Sequence, residues 1–446
     1  MTGLEERLLA AGLLPEEARR KRELFDAADA ALSRLGQGAA PKGLWFVPGR
    51  LEVLGKRSDE AGGRGLFCAV GRGLCVAASP RADARLRIAD AGRGLFAEAE
   101  LDGAAEESGS GWAALAQAVA SRIERRFPEL RGADVALASD LPRGAGLASS
   151  TAFVAALAAV LADVNALAGR DEWAMAIRNG SDLARFLAGV ESGRGFSPSV
   201  APAGGAFAGE GDAVAIVCGE AGKISQVALS PVRLERTVPL EDDWTFVVAA
   251  RSASAEADAT READGSRALA ADEILAVWNR STGRRDTTLF EAVRTGSDAA
   301  ARIRALVRVL PSRAFSNDVL VRRFDQFVEE TFSLVPMAAD FLERGEIGRF
   351  GDVVDRSQTL AESHLADVSP EAIALVRSAR ALGAAASTAF GTRPGAGAWA
   401  LIRKSDAGAF RHRWAERHVA AFPGLAEASR FFVARPGPAV LALSAS

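Results

Sequence analysis

Between Leu141 and Phe153 the chain reads LPRGAGLASSTAF. Gly144 and Gly146 permit close backbone approach and positive φ, and Ser149 and Ser150 offer hydroxyls. The apolar, alanine-rich run that follows, Thr151 to Ala168, has helical propensity without a breaker. A helix starting here points its amide N–H groups and its dipole into the loop, which suits a phosphate. The loop is not the GxxxxGK[ST] type, because no lysine stands where that motif requires one. A plain strand-to-helix turn that uses glycine for tight packing is the competing reading of the same residues.

The elements that must position this loop are legible in outline. ADVALAS, ahead of it, reads as a strand, and GWAALAQAVASRIERRF before that as a helix. LWFVPGRLEVLG reads as strand, turn, strand, and GLFCAVGRGLCVAASP as two short strands joined at Gly71 to Gly73. DAVAIVCGEAGKISQVAL and TVPLEDDWTFVVAARS also look like strands. From Glu262 to Ala385 the pattern is mainly helical, and strand-like material returns in AWALIRKS and from Ser429 onward. The opening segment, MTGLEERLLAAGLLPEEARRKRELF, reads as a surface helix. The class expected is α+β in two lobes, with a boundary between Pro231 and Asp242 that divides the chain into residues 1–235 and 236–446.

Composition narrows the function. The 446 residues are 49% hydrophobic and 25% charged, which suits a soluble globular protein of more than one domain. A net charge of -3 disfavours a polyanionic partner, so no nucleic acid is expected. The longest apolar run stops at Asp163, short of the roughly 20 residues needed to span a bilayer, so no membrane span is expected either. The first residues place acids where a secretory signal places bases. Cys68, Cys75 and Cys218 lack metal or disulfide spacing, and a reducing, cytoplasmic setting is the expectation. His364, His412 and His418 are not spaced as paired ligands on one helix face. Only five lysines are present (Lys21, Lys42, Lys56, Lys223 and Lys404), and the absence of tyrosine excludes any mechanism needing its hydroxyl.

The loop resembles the second motif of the GHMP kinases, PxxxGLxSS, at Pro142, Gly146, Leu147, Ser149 and Ser150. Upstream, VPGRLEVLGKRSDEAGG is similar to the galactokinase signature PGRVNLIGEHTDYNGG, including Gly49, Gly55, Gly62 and Gly63. STAFGTRPGAGAWALI stands where that family has its third, glycine-rich motif. The resemblance runs from about Gly43 to the C-terminus. It implies the two-lobed GHMP kinase fold with the active site in the cleft between lobes, and ATP and Mg²⁺ as cofactors. Gly144, Gly146, Leu147, Ser149 and Ser150 would hold the nucleotide, Ser149 would also serve the metal, and Arg50 would stabilise the transferring phosphate.

Within the first motif the family's Glu and His are Lys56 and Arg57, its Asp persists as Asp59, and its Tyr is Glu60. Lys56, Arg57 and Asp59 are therefore the expected binding residues for a small, sugar-like substrate, with donors in place of acceptors favouring an acidic one. Counting without a gap puts Phe196 where the family has its catalytic Asp, with Glu191 the nearest carboxylate. Arg393 and Pro394 replace glycines of the third motif, and Asp264 stands where the family has a sugar-contacting Tyr. Three readings follow: a galactokinase-like phosphotransferase of altered specificity, a pseudokinase that binds nucleotide or sugar as a sensor or regulator, or a structural relic. The first stands slightly ahead, because a surviving phosphate site is easiest to explain if phosphate is still handled, and loss of a general base, worth about 10²–10⁴-fold, slows phosphoryl transfer without necessarily abolishing it.

Overall fold

The computed structural model describes residues 2–36, 43–102, 111–142, 144–192, 209–251, 261–312, 314–365, 368–391 and 397–443. Its class is α+β, built on two sheets. The larger contains β1 (Gly43–Leu54), β2 (Arg64–Pro80), β3 (Arg85–Asp90), β4 (Leu95–Glu100), β5 (Ala133–Ser139), β6 (Lys223–Leu229), β7 (Val232–Pro239) and the short β12 (Leu441–Ala442). Its path is β12-β1-β2-β5-β3-β4, with β6 joined to β2 and β7 to β6, and every pairing is antiparallel except that of β3 with β5. The smaller sheet has the order β11-β8-β10-β9, formed by β8 (Trp244–Arg251), β9 (Ala386–Phe390), β10 (Gly397–Arg403) and β11 (Ser429–Ala434). The chain crosses from the larger to the smaller sheet between Pro239 and Trp244 and returns after Ala434.

Two expected turns are absent, for one physical reason. LWFVPGRLEVLG is a single strand, β1, whose register against β2 shifts at a bulge between Pro48 and Arg50. A Cβ on Gly49 would lie 2.6 Å from the Leu141 side chain and 2.8 Å from the Leu147 carbonyl oxygen. This glycine therefore lets the strand run under the 141–148 loop instead of making a turn. GLFCAVGRGLCVAASP is likewise one strand, β2, and Gly73 lies so close to the Val47 carbonyl that a Cβ would sit 2.2 Å from it.

Helices cover the larger sheet. The opening segment, expected as one surface helix, folds as two, α1 (Thr2–Ala10) and α2 (Pro15–Leu35), and α2 buries one face through Ala18, Lys21, Leu24, Phe25, Ala28, Ala31 and Leu32 while Arg19, Arg20, Arg22 and Glu23 stay exposed. That spacing is the i, i+3, i+4 stripe of a helix packed on a core, here shared with Phe46, Cys75 and Ala138 of the sheet. Further along come α3 (Gly111–Arg126), α4 (Ser149–Val164), the short α5 (Asp171–Ala176), α6 (Gly180–Ser192) and α7 (Glu210–Cys218). Within α7, the stretch from Asp212 to Cys218 was expected to be a strand. The element is a helix whose residues Gly211 and Ala213 to Ile216 are all buried, and short apolar runs of this kind do not separate buried helix from buried strand. Beyond β8, helices dominate from Arg261 to Ala381, several of them around a separate apolar core that includes Trp278, Phe290, Phe324 and Phe327.

One helical stretch bears directly on the site. Asn317–Glu329, Glu330–Leu334 and Val335–Glu343 form one continuous run with a π turn at Glu330. From this turn the fully buried Glu330 carboxylate accepts the backbone N–H groups of Gly55 (3.0 Å) and Lys56 (3.3 Å) and the Ser357 hydroxyl (2.9 Å). It thereby holds the chain as it leaves β1.

Candidate active site

The loop after β5 behaves as its composition implies. Gly144 and Gly146 adopt left-handed φ values of 62° and 71°, and Ala148 does the same at 56°. Ala148 is the N-cap of α4 and has no side-chain oxygen to accept the first-turn amides. An uncapped N-terminus on a sixteen-residue helix therefore faces the loop. Ser149 opens the helix half-buried, Ser150 is exposed, and Leu147 is buried beneath the loop.

Arg50, buried at 5% exposure, sits below this loop and is fastened to it twice. Its backbone N–H donates to the Leu147 carbonyl (3.0 Å), and Nη1 donates to that of Gly146 (3.2 Å). Nε donates to Oδ1 of Asp212 at 2.5 Å, and Nη2 contacts the same oxygen. Glu52 lies 3.8 Å from Nη1, and the guanidinium stands 5.6 Å from the centre of the Phe67 ring. Burial alone would lower the Arg50 pKa, but the charges of Asp212 and Glu52 outweigh it and raise it. The pair is thus a charge-assisted contact at the mouth of the loop.

Asp212 lies in the first turn of α7 and was not picked out from the sequence. The signal that would have found it is GDAVAIVCG, an acid opening a buried helix. It was missed because the comparison allowed no gap across 193–208. Phe196 falls in that interval, outside the described residues, as do Arg393 and Pro394 of the third motif, while the side chain of Asp264 is likewise not described. Glu191, at the end of α6, accepts the Thr151 hydroxyl at 2.7 Å. Burial raises its pKa, with Asp212 adding to the effect and Ser150, Thr151 and Arg50 opposing it.

The three residues expected to bind substrate go different ways. Lys56 sends Nζ to Oε1 of Gln358 (2.6 Å), an oxygen that also accepts from the Thr388 hydroxyl (2.8 Å) and the Ala389 amide (3.0 Å). Arg57 pairs with Glu60 (2.8 Å), which also accepts from Arg323 (3.1 Å). Both cations join internal networks that tie the first motif to the helices Asn317–Glu329 and Ile347–Leu360. Asp59 instead shares its surroundings with Arg50, Glu52 and Asp212. Burial, followed by the charges of Glu60 and Glu52, pushes its pKa up to about 7.

Among the described residues no three His, Cys, Asp or Glu side chains are grouped to hold a metal by themselves, and no helix is long and apolar enough to cross a membrane.

Comparisons with known proteins agree with this geometry. Residues 114–198 match the model for the GHMP kinases N terminal domain. Galactokinase of Streptomyces coelicolor is 36% identical over 140 residues, which are 31% of this chain and 36% of that protein. Galactokinase of Roseiflexus sp. is 34% identical over 133 residues, or 29% and 33%. The matched stretch thus spans about a third of the length of these relatives. Over the whole fold, the crystal structure of Lactococcus lactis galactokinase complexed with galactose superimposes with a TM-score of 0.75 at 18% identity, covering 94% of this chain and 99% of that one. Mevalonate kinase of L. major in complex with R-mevalonate gives 0.51 at 14% identity, covering 90% and 96%. Residues 114–198 thus match the GHMP kinases N terminal domain, and the fold over 94% of the chain is that of a galactokinase.

Proposed function

We propose that this protein transfers the terminal phosphoryl group of ATP to a hydroxyl of a sugar or sugar-like small molecule, with Mg²⁺ as the accompanying ion. The observation that carries this reading is the 2.5 Å contact between Arg50 and Asp212 directly under the glycine loop. It joins a phosphate-stabilising cation and a proton acceptor in one place. The case for a pseudokinase rested on altered catalytic and sugar motifs, and in our reading Asp212 supplies the carboxylate missing from the first of these.

The donor set fits the cofactors. The uncapped N-terminus of α4 and the backbone of Gly144, Gly146 and Leu147 would hold the phosphates. Ser149 would hold Mg²⁺, with Glu191 nearby. That no three His, Cys, Asp or Glu side chains among the described residues group to hold a metal alone suits an ion that takes most of its ligands from phosphate and water. When bound, ATP supplies the phosphoryl group and Mg²⁺ offsets charge on its oxygens. Asp212 takes the proton of the acceptor hydroxyl as its oxygen bonds to phosphorus and the bond to the leaving ADP oxygen breaks. Arg50 offsets the charge that develops on the transferred group, from a position already set by the loop.

Asp59 faces the same charged cluster and would accept hydrogen bonds from acceptor hydroxyls. Lys56 and Arg57, bonded to Gln358 and Glu60, would shape this wall through the networks they hold together. That arrangement favours a neutral, hydroxyl-rich acceptor over the acidic one expected from residue types alone. The likeness to a galactokinase solved with galactose supports the same class. In this reading residues 1–235 supply the reacting groups, residues 236–446 brace them through Glu330 and Gln358, and an ATP-consuming reaction suits a cytoplasmic setting.

The test is calorimetric titration with Mg²⁺ and a slowly hydrolysed ATP analogue, followed by ADP release measured against a panel of hexoses and polyols. Binding together with acceptor-dependent ADP release supports the proposal. No binding at millimolar nucleotide removes it.

A further inference from the structure

Lys21 has no part in the chemistry above, yet it is fully buried. It is one of five lysines among 54 basic residues, and it projects from α2, a helix remote in sequence from every motif of the site. Its Nζ donates to Oδ2 of Asp140 at 2.5 Å and lies 5.3 Å from the centre of the Phe46 ring. Asp140 is the first residue after β5 and leads straight into the 141–148 loop. It is fastened on every side: Oδ1 accepts the Gly73 amide (2.9 Å), its carbonyl accepts Nη1 of Arg72 (2.9 Å), and its own N–H donates to the Gly73 carbonyl (3.4 Å). Arg72 in turn lies 4.2 Å over the ring of Phe432 in β11, on the smaller sheet.

The loop is therefore held at both ends by buried cations: Lys21 through Asp140 where it begins, and Arg50 through Gly146 and Leu147 where it meets α4. A buried ammonium is costly unless paired, and an apolar side chain would fill this part of the core without that cost. We infer that Lys21 is a positioning residue for nucleotide binding, which acts by fixing Asp140 and so keeping the loop in its binding geometry before the nucleotide arrives. This inference rests on the reading of the loop as a nucleotide site. If the held geometry falls to about a tenth of the population, apparent affinity falls about tenfold.

The experiment uses the full chain, with MgADP as the probe. Lys21→Met removes the pin. The double variant Lys21→Met with Asp140→Asn removes it without leaving a buried charge unpaired, and so remains informative if the single variant fails to fold. The expected result is an about tenfold weaker MgADP affinity and a matching rise in the KM for ATP, while the acceptor KM and kcat stay within about twofold. Wild type that binds no MgADP overturns the nucleotide reading and the clamp with it. Wild type that binds, with folded variants that match it, overturns the clamp alone. So does a loss spread evenly over kcat and both KM values, because that marks general weakening of the fold.

Discussion

Nε of Arg50 and Oδ1 of Asp212, 162 residues apart in the chain, meet at 2.5 Å beneath the glycine loop. The carboxylate keeps the guanidinium charged in a buried place, and the guanidinium holds one carboxylate oxygen through both Nε and Nη2. Asp212→Asn preserves shape and removes the proton acceptor. Phosphoryl transfer should slow by about 10²–10⁴-fold while nucleotide affinity is kept. Steady-state kinetics beside calorimetry will decide this. An unchanged kcat would move the proton-accepting role to another group, with Glu191 the nearest alternative.

Arg50 makes its contacts in three directions at once, to Asp212, to Gly146 and toward Glu52. A lysine ammonium lacks the planar fork that such a set requires. Arg50→Lys is therefore expected to lower kcat by about 10²–10³-fold, as loss of a transition-state donor does, although the charge is conserved. Activity near wild type would show that charge alone suffices and that the loop contacts are incidental.

Gly146 combines a left-handed φ of 71° with a carbonyl bonded to Arg50. Gly146→Val places a β-branched residue in a region that costs an L-residue about 1–2 kcal/mol, and it brings side-chain bulk to the cradle. Binding of a slowly hydrolysed ATP analogue should be lost in calorimetry, while thermal unfolding shifts by only a few degrees. Retained affinity would mean that the phosphates lie elsewhere.

What was readable in the sequence was local. The loop and the start of α4 follow from two glycines, two serines and an unbroken alanine-rich run. Arg50 stands out in the sequence because its neighbours form a recognisable string. Asp212 does not, because its contact with Arg50 is made across 162 residues and follows a segment whose length breaks simple counting. The turns wrongly placed at Gly49 and Gly73 share one cause: each glycine lies against close backbone, the loop at Leu147 for Gly49 and the paired strand at Val47 for Gly73, and nothing in the flanking residues announces that neighbour. The partners of Lys56 and Arg57 were hidden in the same way. Their charges point to an anionic substrate, and the side chains they meet lie far off in the chain: Gln358 is 302 positions from Lys56, and Arg323 is 263 from the Glu60 that binds Arg57. Residue type says what a side chain can bond to, and only the packing says which partner it has.

On this proposal Asp59 should carry the pH dependence of the site. Burial first, then the charges of Glu60 and Glu52, raise its pKa to about 7 from an ordinary 3.8, with Arg57 opposing. Only the ionised carboxylate offers both oxygens as acceptors to acceptor hydroxyls. The acceptor KM should therefore fall as pH rises from about 6 to 8, and Asp59→Asn should flatten that profile. Stability runs the other way. A carboxyl whose folded pKa is raised favours the folded state when protonated, so its contribution is complete below the unfolded value and is lost as pH climbs through about 7. Asp59→Asn should then raise the unfolding temperature at pH 8 relative to wild type by more than it does at pH 4. A wild-type acceptor KM that does not change with pH, or an equal stability difference at both pH values, would place Asp59 outside the acceptor wall or return its pKa to the usual carboxylate range.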